Sequence, residues 1–127
     1  MPSNDKLIVD ALMNQAMSLT KKKQFADAVR LLHETARRFP TSAAVWGLLG
    51  SAEFQCANWL AAARAFRQTT KLSPMSEMAS LGLFHALRAS NKHKQAVTEL
   101  KRFQAVSHSA DYDAIAIELK IRVPVAA

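Results

Sequence analysis

Apolar residues recur every three or four positions along most of this chain, the spacing of amphipathic α-helices with one buried face. Ile8, Leu12, Ala16 and Leu19 predict a first helix that begins after Ser3 or Asn4, either of which can cap it. It closes at Lys21-Lys22-Lys23, where cations suit a helix C-terminus. Phe25, Ala28, Val29, Leu32 and Ala36 predict a second helix over about 25–38, with Arg30, Arg37 and Arg38 on its outer side and Pro40 as its stop. Thr41 or Ser42 caps a third helix over about 43–56, and a fourth over about 59–72 carries Arg64, Arg67 and Lys71 on one outward face.

The fifth predicted helix, about 76–90 and capped by Ser76, has almost no polar side: Met78, Ala79, Leu81, Leu83, Phe84, Ala86 and Leu87 surround its axis. A helix that is apolar all round is buried all round, so something is expected to cover it. The sixth, about 94–106, turns Ala96, Val97, Leu100 and Phe103 inward. The tail supports two readings. Tyr112, Ile115 and Leu119 fit a short helix begun by Asp111, whereas Ile115, Ile117, Leu119, Ile121 and Val123 alternate as a strand does, and Pro124 ends either.

The central stretch holds a more specific pattern: Trp46-x-x-Leu49-Gly50, then Ala62-x-x-x-Phe66, then Pro74. Two antiparallel helices that cross closely need small residues at the crossing, here Gly50 and Ala62, with Trp46, Leu49 and Phe66 filling the space around it. Steps of 34 residues repeat the pattern. Backward, Pro74 falls on Pro40, Ala62 on Ala28, Phe66 on Leu32, Gly50 on Ala16 and Ser76 on Ser42; forward, Ala62 falls on Ala96, Phe66 on Leu100 and Leu49 on Leu83. In these residues the chain resembles the tetratricopeptide-repeat (TPR) family. The resemblance implies an all-α, right-handed helical-hairpin solenoid of three TPR-like units plus a C-terminal capping helix. Within one domain over 1–127, the repeats fall at about 9–42, 43–76 and 77–110, and the capping segment at 111–123. Because such an array needs a terminal helix to cover its last face, helix is the expected state of the tail. Phe84 stands where Gly50 stands one repeat earlier, so either the third pair splays or its register slips by two, with Leu81-Gly82 taking the Leu-Gly role.

Composition narrows the function. A chain of 127 residues that is 50% hydrophobic, with 3 Gly and 4 Pro, fits one compact domain rather than a disordered segment. The N-terminal Met1-Pro2-Ser3-Asn4-Asp5-Lys6 lacks the pattern of a secretory signal, no apolar run is long enough to span a bilayer, and Cys56 is alone, so a cytoplasmic protein is expected. Scattered His33, His85, His93 and His108 give no metal-ligand spacing, no glycine-rich phosphate loop is present, and no nucleophile and base form a recognisable pair. Neither a cofactor nor a metal nor enzymatic activity is expected.

Function must then come from surface shape. The resemblance implies a concave groove lined by the first helix of each repeat: Asp10, Met13, Met17 and Lys21, then Ala44, Gly47, Ser51 and Phe54, then Met78, Leu81, His85 and Arg88. The family members that clamp an acidic C-terminus use Lys, Asn and Arg at places that here hold Met13, Met17, Met78 and Gly82, so a carboxylate clamp is not expected. A methionine-rich groove suits an apolar or amphipathic segment of a partner protein, which makes an adaptor or chaperone the leading expectation, similar in general character to the small TPR chaperones of bacterial secretion systems. Alternatively Met78 and Leu81 are ordinary core covered by the tail.

The net charge of +7 raises a second class, binding of nucleic acid or an acidic protein surface through Arg30, Arg37, Arg64, Arg67, Lys71, Lys101 and Arg102 on the outer face. No aromatic residues interleave with that face, so nucleic acid is not the favoured partner. An immunity or antitoxin-type inhibitor is a third reading, and an uncovered fifth helix would allow a homodimer through the third repeat.

Overall fold

A computed structural model describes residues 3–122, and within them the chain is seven α-helices with no strand. These are α1 (Ser3–Lys21), α2 (Phe25–Arg38), α3 (Ala43–Gln55), α4 (Trp59–Leu72), α5 (Glu77–Ala89), α6 (His93–Val106) and α7 (Ala110–Leu119). Each of the first six packs on its sequence neighbour, which makes a helical-hairpin solenoid. α1 already contains Ser3 and Asn4, so neither is the cap expected of it. Val123 and Pro124 lie outside the described residues.

The backbone keeps the 34-residue period at every turn between paired helices. Lys23, Ala57 and Asn91 all adopt the left-handed conformation, at φ of 60°, 60° and 62°. After each, an N–H reaches back to close the helix end: Gln24 to Leu19 O at 2.9 Å, Asn58 to Glu53 O at 2.9 Å and Lys92 to Leu87 O at 2.8 Å, the bond that satisfies an otherwise orphaned carbonyl. The next helices are capped alike, with Ser42 Oγ accepting from Val45 N–H and Ser76 Oγ from Ala79 N–H. The register of the third repeat therefore does not slip.

Phe84 is accommodated in another way. It is fully buried on α5, and its ring meets Tyr112 of α7 edge-on at 5.6 Å. Ser80 occupies the place of Trp46 one repeat on, and the missing aromatic is supplied from outside the repeat. Ser80 Oγ donates to Glu99 Oε2 at 2.6 Å and so accepts from Tyr112 OH at 2.8 Å. Arg102 closes the network with two bonds to Glu99, at 2.8 and 2.6 Å, and one to Pro74 O at 3.0 Å. Burial raises the Tyr112 phenol's pKa, and the hydrogen bonds to Glu99 raise that of the Arg102 guanidinium.

The tail is thus a helix that covers α5, as the array requires. Ser109 rather than Asp111 caps it, accepting from Tyr112 N–H, while Gln104 holds both Ser109 N–H and Asp113. Ile115 and Leu119, four residues apart on α7, pack on the core together with Ile121 just beyond the helix, while Ile117 is exposed.

The core has two clusters, one of Ala16, Leu32, Val45, Leu49 and their neighbours, the other built on Phe66, Phe84, Leu87, Phe103 and Tyr112. Between them, Phe66 of α4 leaves no room for a side chain at two glycines. A Cβ at Gly50 would lie 2.9 Å from its ring, and one at Gly82 2.6 Å.

Gly82→Ala is expected to lower stability by about 1–3 kcal/mol through overpacking of that ring. Ala57→Gly, which relieves a left-handed backbone, should raise it by about 1 kcal/mol. Chemical denaturation of the two variants measures both.

Candidate functional site

α1, α3 and α5 line one side of the array, and the hollows between them form a trough. The first, about 300 Å³, lies between α1 and α3 over the buried Leu32: Met17, Thr20 and Lys21 face Leu48, Ser51 and Gln55. The second, about 220 Å³, lies between α3 and α5 over Phe66: Ser51, Phe54 and Gln55 face Met78, Gly82 and His85. Ser51 and Gln55 border both, so the two hollows adjoin across these two exposed polar residues.

The structure brings together six of the expected groove residues, Met17, Lys21, Ser51, Phe54, Met78 and His85. Met17 is 40% exposed and Met78 57%, which places their flexible thioethers where a partner can reach them. Met78 leans across to α3, its Cε 3.4 Å from where a Gly47 Cβ would lie. Phe54 is half-buried, its ring edge-on to Trp59 at 4.9 Å.

The other expected residues fall elsewhere. Met13 lines a separate hollow of about 350 Å³ with Asp10, Ala44 and Phe39, near the N-terminal ends of α1 and α3. Leu81 is half-buried against the second core cluster and borders neither trough hollow, so it belongs with the core while Met78 does not. Arg88 is exposed at the end of α5 and borders neither hollow. It still acts on the site: burial first, and then the nearby Arg88 charge, hold the His85 imidazole below its ordinary pKa, with Asp111 opposing.

Thr20, Leu48, Gln55 and Gly82 were not among the expected lining. The period contained the signal for three of them. Gln55 stands 34 residues after Lys21, and Leu48 and Gly82 are 34 apart, so the same face of α3 and α5 includes them.

On the opposite side, the arginines expected to form a basic surface are largely engaged. Arg30 pairs with Asp27, Arg37 with Glu34 at 2.7 Å, and Arg102 with the buried Glu99 at 2.6 Å, while Arg67 donates to Gln95 at 3.4 Å. The Arg37 pair holds the Glu34 carboxyl below its ordinary pKa. Among the described residues, no three His, Cys, Asp or Glu side chains gather as a metal site needs, and no helix is long and apolar enough to cross a membrane.

Among solved structures, a chain from the CopN-Scc3 complex is similar to this one, with a TM-score of 0.75 over 90% of this chain and 68% of its own, at 18% sequence identity. That likeness shows a shared helical-repeat fold. No family model and no curated protein matches the sequence.

Met78→Glu and Ser51→Glu, on exposed trough positions, are expected to change stability by no more than about 0.5 kcal/mol. Leu81→Ala should lower it by about 2 kcal/mol. Thermal or urea unfolding of the three variants separates trough from core.

Proposed function

We propose that this chain is a non-enzymatic, TPR-like interaction module, an adaptor or chaperone that holds an apolar or amphipathic segment of a partner protein in the trough. The observation that carries this reading is the adjacency of the two hollows, which share Ser51 and Gln55 and are bordered by exposed Met17 and Met78. An apolar depression of that kind, open to solvent on a folded domain, is the usual mark of a binding surface. Likeness to a chain that is part of a protein–protein complex supports a protein partner.

Charge refines the choice of partner. Lys21 borders the first hollow and Arg88 lies beyond the second, near His85, so a segment with acidic residues beside its apolar ones is favoured. The outer face is a weaker candidate, because Arg30, Arg37 and Arg102 already spend their charge on neighbouring carboxylates. The opening for a homodimer at the third repeat is also reduced, since α7 of the same chain packs on the core at α5.

Partner capture from the native cell by the wild type and by a Met17→Glu, Ser51→Glu variant of unchanged circular dichroism tests the proposal. A discrete protein should be retained by the wild type and its affinity reduced at least about tenfold by the variant. Equal retention by both would move the site off the trough.

A further inference from the structure

The internal repeat breaks at one buried position. Leu19, residue 53 and Leu87 are related by the 34-residue period, and both leucines pack in the core, yet the middle position is a glutamate only 6% exposed. Burying a carboxylate where a leucine fits is unfavourable unless something partners it. Glu53 Oε1 accepts from Asn58 Nδ2 at 2.9 Å, and among the described residues no other side-chain hydrogen bond or ion pair reaches this carboxylate. No fully buried polar atom is left without a partner, so Oε2, which makes no hydrogen bond, is not wholly sealed from solvent.

Glu53 lines a hollow of about 280 Å³ on the side away from the trough, between α2 and α4 with α3 as its floor. Its walls are apolar at Trp46, Leu49, Ala61 and Ala65, and the indole is fixed by its N–H donating to Pro40 O at 2.8 Å. Arg64 stands on its border, exposed and without an ion-pair partner among the described residues. An acid and a base therefore face one hollow without pairing with each other. His33 and Gln68 add further polar groups at the rim.

We infer that this hollow binds a free α-amino acid with an apolar side chain. Its ammonium meets Glu53 Oε2, its carboxylate meets the Arg64 guanidinium, and its side chain lies against Trp46 and Leu49. The charge-assisted bonds at the two ends are stronger than neutral ones and together select a zwitterion over an amine or an acid alone. The apolar walls select the side chain, and engaging the ammonium and the carboxylate of one α-carbon at once disfavours a peptide, whose termini lie farther apart. The site is separate from the trough, and its occupancy does not depend on a partner protein being held there.

The test is a titration of the isotope-labelled full chain with leucine, followed at the Trp46 indole N–H and the Gln68 side-chain amide. Isopentylamine and isocaproate, the two halves of the zwitterion's charge, serve as controls. Leucine should produce saturable shifts confined to these groups below about 10 mM, with each control at least about tenfold weaker. Glu53→Gln keeps an acceptor for Asn58 and removes only the charge, and Arg64→Ala alters an exposed residue. Each should weaken leucine at least about tenfold without changing the circular dichroism. No saturable shift with leucine, binding unchanged in Glu53→Gln, or isopentylamine binding as tightly as leucine would each overturn the inference.

Discussion

One ring sets the spacing of this molecule. Phe66 projects from α4 into the space between α3 and α5, and both neighbours meet it with a glycine where a Cβ would lie within 3 Å of the ring. Core packing at this density tolerates little adjustment, so the ring and the two glycines together fix how far α3 stands from α5. That distance is also the width of the second trough hollow, whose floor is Phe66 itself. Fold and candidate site thus share one contact, and a change that loosens the wedge alters the shape presented to a partner as well as the stability.

The end of the array is solved by substitution across helices. In the central repeat Trp46 comes from α3, whereas the third repeat has Ser80 there and receives the aromatic group from α7. Tyr112 brings a hydroxyl with it, and a buried hydroxyl must be satisfied. The answer is the chain from Tyr112 through Ser80 to Glu99, anchored by Arg102 and carried to the Pro74 carbonyl. A capping helix with apolar contacts alone could slide along α5; the directional bonds between Tyr112 and Ser80 and from Gln104 to Asp113 give it one position.

Much of this was legible in the sequence because period and helix geometry are local. The hairpin order and the Ser42 and Ser76 caps follow from spacing, and the six trough residues follow from the resemblance to TPR repeats. What escaped was set by tertiary contacts. The third register looked ambiguous because Phe84 replaces a small residue, and only the recurring left-handed turns at Lys23, Ala57 and Asn91 show that it holds. The tail admitted a strand beside the expected helix because apolar residues stand at every second position from Ile115 to Ile121, and its contacts with α5 and α6 decide for the helix. Leu81 looked like groove because its repeat equivalents Met13 and Gly47 do, but the nearby core draws it in. The outer arginines look free in the repeat pattern because their carboxylate partners, three residues away on the same helix, are not part of that pattern.

The division of the core has a consequence for how binding and stability are linked. The two apolar clusters meet at α4, with Ala65 in one and Ala62, Ala63 and Phe66 in the other. Repeat arrays of this kind are held by nearest-neighbour contacts, so their halves can loosen separately. A segment lying in the trough touches α1 over the first cluster and α5 over the second, with Ser51 and Gln55 beneath its middle. It therefore ties together elements that the protein alone connects only through α3 and α4. Since a ligand that binds only the folded state stabilises it in proportion to its affinity and concentration, a partner held there would make the whole array unfold as one unit, and the open trough is the form in which that coupling is still to be made.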